Sequence, residues 1–136
     1  MKTTYVYPAV IQPEKEGNYS VFFPDITGCC TGGDTLEEAM FMAEDALCLM
    51  LYDMEERRCE IPKPSAVNEI QSKIKNGNFV TLVKCDTLKY RKFYKEKSVR
   101  KTLTIPGWLN DMAEAADVNF SQELQNALAH KLGVTL

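Results

Sequence analysis

Three polar side chains alternate along a short stretch near the C-terminus, and their chemistry suits the reading of DNA bases. Arg100, Thr102 and Thr104 share one face of a predicted strand over residues 98–105, because side chains alternate across a strand. The other face is apolar except for Lys101. Arg pairs with guanine and Thr contacts bases or the thymine methyl group in the major groove, which admits a two-stranded ribbon. The pattern therefore indicates DNA binding.

Two amphipathic helices are predicted to follow this strand. Pro106 ends the strand and can begin a helix over residues 106–116, since its missing N–H would be unpaired at the first helical position. Residues 117–120 form the turn, Ser121 is the expected N-cap of the second helix, and Gly133 is its C-terminal stop. The unit is thus a strand followed by two short helices.

The strand has no hairpin partner in its own chain, and two short helices cannot enclose a core. Antiparallel pairing with the same strand of a second copy would satisfy its backbone and create a homodimer. The alternative is an ordinary strand-helix-helix fragment packed on the rest of the chain. In the dimer the predicted core consists of Leu103, Ile105, Leu109, Met112, Leu124 and Leu128.

The preceding part of the chain predicts a small sheet packed against one long helix. Strands are expected at residues 5–12, 19–23, 29–31 and 79–85, a long helix at 36–57 and a short one at 66–75. Thr35 and Glu38 form a capping box for the long helix. We therefore expect an α+β fold with a domain at 1–88, a basic linker at 89–97 and a dimerisation domain at 98–136.

Charge is distributed unevenly along the sequence. Residues 1–64 contain 5 Lys/Arg and 12 Asp/Glu, net −7, whereas residues 65–136 contain 11 and 7, net +4, which sums to the −3 of the chain. The basic excess lies between Lys84 and Lys101, beside the predicted ribbon, and suits a phosphate backbone. The acidic N-terminal part would not help DNA binding and favours a second partner, which is basic.

Candidate catalytic groups are few. Asp25, Asp34, Glu38 and Asp45 could be gathered around Mg²⁺ as in a nuclease. However, Asp34 and Glu38 have capping or surface roles, Asp45 is expected on a solvated helix face, and Asp25 sits at a turn where Asp commonly bonds its own backbone. The chain has one histidine and five cysteines, none in a Cys-x-x-Cys pair. We predict no enzymatic activity, no metal and no cofactor, with reduced thiols in a cytoplasmic protein.

The C-terminal pattern resembles ribbon-helix-helix DNA-binding domains of the Arc/MetJ type. The resemblance implies that the residues two, four and six positions before Pro106 read bases, namely Thr104, Thr102 and Arg100. It also implies that the start of the second helix grips a phosphate, at Asn119, Phe120 and Ser121, with Lys101 as a further phosphate contact.

The whole chain is similar to HicB antitoxins of type II toxin–antitoxin systems. The similarity rests on residues 19–29, 33–39 and 61–65, and on the C-terminal segments 99–109, 119–121 and 124–128. It implies a degraded ribonuclease-H-like N-terminal domain that masks an mRNA-cleaving HicA toxin, and a C-terminal dimer, or tetramer, that represses its own operon. It does not place the toxin-contacting residues.

Two other functions stay open at this point. The chain could be a stand-alone ribbon-helix-helix regulator whose α+β domain senses a small ligand. It could also be a metal-dependent nuclease, in which case changing Asp25 would abolish cleavage.

Overall fold

A four-stranded sheet and five helices make up the chain, and the computed structural model describes all 136 residues. Contacts divide it into two compact units, Lys2–Glu96 and Lys97–Leu136. The α+β class predicted from the sequence is confirmed. In chain order the elements are β1 (Thr4–Pro13), β2 (Tyr19–Phe22), β3 (Cys30–Gly33), α1 (Leu36–Glu56), α2 (Val67–Lys73), β4 (Phe79–Asp86), α3 (Thr87–Tyr94), α4 (Gly107–Ala115) and α5 (Phe120–Leu132).

The sheet is antiparallel throughout, with strand order β3-β2-β1-β4. β4 runs along β1 in the register Tyr7↔Val83, and β2 pairs with only the last four residues of β1, in the register Ile11↔Val21. Pro8 lies in the half of β1 that has a single neighbour, which agrees with the edge-type position that a proline requires. The sheet consequently has two open edges, a short one at β3 and a long one at β4.

Helix α1 covers one face of this sheet and forms the core with it. The predicted capping box is present, because Thr35 Oγ1 accepts from the N–H of Glu38 at 3.1 Å and Glu38 Oε2 accepts from the N–H of Asp34 at 3.2 Å. The apolar residues that recur at helical spacing along α1 form a stripe that faces inward. The core residues fully or almost fully buried between helix and sheet include Tyr7, Ile11, Val21, Ala39, Ala43, Leu47, Leu51 and Val83.

Gly33, the last residue of β3, lets α1 approach the sheet closely. A Cβ atom added at Gly33 would lie 2.5 Å from the backbone N of Ala39 and 2.9 Å from its Cα. No real Cβ tolerates such a distance to backbone, so the contact between β3 and α1 depends on the missing side chain.

Most of the basic linker predicted at 89–97 is helical in the structure, because residues 87–94 form helix α3. Asp86 caps this helix by accepting from the N–H of Leu88 at 3.0 Å. Arg91 holds it to α1 through ion pairs with Glu55 at 3.1 Å and Glu56 at 2.6 Å. The two carboxylates that pair with Arg91 lie 35 and 36 positions away in the sequence, so no local pattern could indicate this contact.

Glu55 is the centre of the polar network that joins α1, β1 and α3. Its carboxylate side chain is only 5% exposed and accepts from the hydroxyl of Tyr5 and from that of Thr87, each at 2.8 Å, besides Arg91. The Arg91 guanidinium also lies over the ring of Tyr52, 5.3 Å from its centroid. Three elements therefore share one buried acceptor.

The loop before α2 makes a contact with a distant part of the chain. The N-cap of α2 is Ala66, which carries no side-chain bond, and the neighbouring Ser65 does not cap the helix. Ser65 donates instead to Asp25 through its N–H, at 2.9 Å, and through its hydroxyl. Asp25 thus ties the loop after β2 to the loop before α2 instead of bonding its own backbone, because those loops meet in space.

The C-terminal unit has two helices but no strand in this single chain. Residues 98–105 lack strand pairing, as expected for a segment that finds no partner in its own chain. Asn119, not Ser121, is the N-cap of α5, because its side chain accepts from the N–H of Gln122 at 3.1 Å. Gly133 ends α5 with φ of 67°, as predicted.

None of the helices has the length and apolarity that crossing a bilayer demands.

Replacing Gly33 by Ala should destabilise the N-terminal unit by about 1–3 kcal/mol, because the new methyl group collides with the backbone of α1. Urea unfolding followed by circular dichroism measures this loss. Gly107→Ala is the matched control, since a Cβ there meets nothing within 4 Å, and it should change stability by less than about 0.5 kcal/mol. Equal midpoints for both variants would contradict the close approach.

Replacing Glu55 by Ala should cost about 3–5 kcal/mol, because it leaves Arg91 and two hydroxyls without their buried acceptor. Glu60→Ala makes the same change at an exposed position and should leave the unfolding midpoint within the error of wild type. If α3 were a flexible linker, both variants would unfold at the same urea concentration.

Candidate functional site

The residues predicted to read DNA bases lie in the segment between α3 and α4. Arg100, Thr102 and Thr104 are all exposed, and so is Lys101, the predicted phosphate contact. The single chain gives this segment no pairing, so the alternation of faces predicted for a strand is not formed here. The structure therefore leaves these four side chains accessible but does not assemble them into a surface.

The residues predicted to form a dimer core are largely exposed in the single chain. Leu103 is 62% and Met112 65% exposed, whereas Leu124 is half-buried. Helix α4 buries no residue at all, and α5 buries only Ala129. The exposed apolar set also includes Ile105, Leu109 and Leu128. Large exposed apolar patches mark contacts with other molecules, so these side chains are candidates for such a contact.

The predicted phosphate grip lies at the start of α5. Asn119 uses its side chain and its carbonyl to cap the helix, accepting from the N–H of Gln122 and of Glu123. Phe120 and Ser121 are the first two residues of the helix, where backbone N–H groups have no intrahelical acceptor. Both are exposed. This end of α5 consequently offers N–H groups and the positive end of the helix dipole to an anion.

Only part of the basic stretch is available to a phosphate backbone. Arg91 and Lys95 on and just after α3 form ion pairs with Glu56, and Arg91 also pairs with Glu55. The pKa of Glu56 lies below its usual value because Lys95 and Arg91 donate hydrogen bonds to its carboxylate. The expectation that the whole stretch faces phosphate is thus corrected for these two residues.

Burial raises the pKa of two tyrosines and one cysteine in the N-terminal unit. Burial, and then a hydrogen bond to Glu55, raises the pKa of Tyr5. Burial and a hydrogen bond to Asp45 raise the pKa of Tyr90 in the same way. Burial also raises the pKa of the Cys29 thiol to about 11. None of these groups is tuned toward general acid–base or nucleophilic chemistry near neutral pH.

The carboxylates considered for a nuclease site are engaged separately. Asp25 accepts from Ser65, Glu38 accepts from the backbone of Asp34, and Asp45 accepts from the hydroxyl of Tyr90. The expectation that Asp45 lies on a solvated face is therefore corrected, because α3 packs against that side of α1. No group of three or more His, Cys, Asp or Glu side chains could hold a metal ion.

Three large apolar side chains on the N-terminal unit are exposed and were not singled out by the sequence patterns. Phe41 on α1 is 69%, Leu82 on β4 56% and Phe93 on α3 72% exposed. The sequence did carry one signal of this exposure, because Phe41 falls outside the stripe of apolar residues by which α1 packs on the sheet. Phe41 and Leu82 line the same groove, whereas Phe93 does not.

A protein-family model matches most of this chain, and curated relatives match a little under half of it. The family model described as the HicB-like antitoxin of a bacterial toxin–antitoxin system matches residues 7–128. Antitoxin HicB 1 of Photorhabdus laumondii is 44% identical over 63 residues, which cover 46% of this chain and 41% of that protein. Antitoxin HicB of Escherichia coli K12 is 42% identical over 62 residues, covering 46% and 45%. The match thus spans less than half the length of these curated relatives.

Solved structures share the fold. A chain of a toxin–antitoxin complex from Streptococcus pneumoniae superposes with a TM-score of 0.58 at 28% identity, covering 94% of this chain and 99% of that one. The Burkholderia pseudomallei antitoxin HicB superposes with a TM-score of 0.56 at 21% identity, covering 94% and 98%. Because the family model spans nearly the whole sequence, the chain belongs to the HicB-like antitoxins of bacterial toxin–antitoxin systems, a family of antitoxins and not of enzymes.

Proposed function

We propose that this chain neutralises a HicA-type, mRNA-cleaving toxin through its N-terminal unit and represses its own operon through its C-terminal unit. The observation that carries the proposal is the family match over residues 7–128, which includes parts of both units. The chain's likeness to one from a toxin–antitoxin complex adds support for a toxin partner. We place this activity in the cytoplasm, where both mRNA and operator DNA are found.

The N-terminal unit has the properties of an independent protein-binding domain. It contains the complete sheet, its covering helix and the Glu55 network, so its core does not need the C-terminal unit. We take its fold as a degraded ribonuclease-H-like domain. Its acidic first 64 residues, at net −7 (5 Lys/Arg against 12 Asp/Glu), suit a basic partner and speed the encounter with one.

The C-terminal unit has the properties of half a dimer. Its apolar side chains Leu103, Leu109 and Met112 are exposed in one chain, and residues 98–105 have unpaired backbone. Antiparallel pairing of that segment between two copies would bury these side chains and form a ribbon-helix-helix domain. One face of the ribbon would then carry Arg100, Thr102 and Thr104 twice, which is the arrangement needed to read a two-fold symmetric operator.

Phosphate contacts would fix this ribbon on the DNA. The exposed start of α5 at Phe120 and Ser121, shaped by the Asn119 cap, can bind a backbone phosphate through N–H groups. Lys101 lies beside the base-reading residues and adds a cation at the same place. Residues 97–136 contain 4 Lys/Arg, Lys101 included, and 4 Asp/Glu, so the unit has no net charge and affinity should depend on these local contacts.

Arg100→Ala should weaken binding to the operator by about 1–3 kcal/mol and relax specificity, because it removes the side chain able to pair with guanine. Fluorescence anisotropy with a duplex from upstream of the gene, and with a scrambled duplex, measures both effects at one salt concentration. Lys63→Ala removes the same charge from an exposed position in the N-terminal unit and should bind both duplexes like wild type. Unchanged operator affinity for Arg100→Ala would exclude the ribbon assignment.

A fragment of residues 1–96 should neutralise the toxin, remain monomeric and fail to bind the operator. Growth rescue of cells that produce the toxin, together with light scattering and anisotropy, measures these three properties. The fragment 1–88 is the control, since it removes most of α3, including Arg91, and should unfold more readily. A dimeric 1–96 fragment, or one without neutralising activity, would place these functions elsewhere in the chain.

A further inference from the structure

Strand β4 presents a long open edge. The strand order β3-β2-β1-β4 gives this eight-residue strand a neighbour on one side only. Its backbone N–H and C=O groups on the other side have no sheet partner, and such groups are a template for pairing with another strand. The opposite edge of the sheet, β3, has only four residues, two of them glycines, and offers much less backbone.

A groove with a volume of about 420 Å³ runs along this edge, between β4 and α1. Its wall on the α1 side is formed by Met40, Phe41 and Glu44, and its wall on the β4 side includes Leu82 and Lys84. Open edges in native proteins are usually blunted by proline, bulges or several charges. Here the only charge between the ends of β4 is Lys84, and two large apolar side chains remain exposed beside it.

Acidic side chains surround the apolar part of the groove. Glu37 and Glu44 lie on the same side of α1 as Phe41, at helical spacings of four and three residues from it. Asp86 lines the end of the groove, where β4 passes into α3. Three carboxylates against one lysine give this surface a negative charge, which complements a basic protein.

We propose that a β-strand of the toxin docks on this groove by pairing with the open edge of β4. The inference rests on the proposed function and specifies the surface that performs it. Main-chain hydrogen bonds to β4 would supply much of the affinity, and basic residues of the toxin would face Glu37 and Glu44. Side chains of an added strand alternate between the two faces of the sheet, so one apolar side chain would pack on Phe41 of α1. Its neighbour in the toxin strand would pack on Leu82, which alternates with the buried Val83 and Cys85 and so lies on the other face. A second copy of this chain is a poorer occupant, because self-pairing would bring two copies of the acidic rim to one interface.

The test uses the full chain and the purified product of the toxin gene that neighbours this gene. Phe41→Asp and Leu82→Asp should each raise the dissociation constant by about tenfold or more, because they place a charge in the apolar part of the interface. Phe93→Asp is the matched control, since Phe93 is equally exposed but does not line the groove, and it should bind like wild type. Circular dichroism verifies that the three variants are folded.

Hydrogen exchange gives a second readout that needs no substitution. Toxin binding should slow exchange of amides in β4, including those of Leu82 or Lys84, while the β3 edge exchanges at its original rate. If the toxin binds wild type and all three variants equally and β4 is not protected, the docking surface is wrong while the proposed function stands. If the toxin does not bind wild type at all, the proposed function itself is wrong. Protection of β4 without toxin, increasing with protein concentration, would identify a second copy as the occupant and overturn the inference.

Discussion

The packing of α1 on one face of the sheet is the constraint on which the N-terminal unit depends. The contact is close because the helix presents Ala39 and Ala43 to the strands and because β3 ends in Gly33, which has no side chain to hold the helix away. Large residues fill the remaining space, with Leu47 and Leu51 over the aromatic and branched side chains of β1. Burying each such side chain contributes about 1.5–3 kcal/mol, more than any surface ion pair on this unit.

Once α1 is fixed, its C-terminal end determines where α3 lies. Glu55 is buried among groups from β1 and α3, so a carboxylate that would be costly alone becomes the acceptor for Tyr5, Thr87 and Arg91. The same packing places Phe41 beside the open edge of β4, which is the edge that does not pair with β1. The stable core and the exposed groove are therefore two consequences of one helix position.

The C-terminal unit differs from the N-terminal unit because it has no comparable core. Its two helices bury almost nothing in a single chain, and short isolated helices are marginal in water. Stability and a polar ribbon face would both come from association, so oligomer formation and DNA recognition would be one event. The acidic first part of the chain and the segment proposed to read bases would accordingly bind partners of opposite charge.

The sequence by itself determined the elements whose signals are local: the α+β class, the capping box of α1 with its inward stripe, the sheet strands to within a few residues, and the stop of α5 at Gly133. These follow from side-chain periodicity and cap chemistry over a few positions. Tertiary structure alone decided that Arg91 holds α3 to α1, that Asp25 holds Ser65, and that Asp45 meets Tyr90. In each case the partner lies 35 or more positions away, so no local pattern could carry the information.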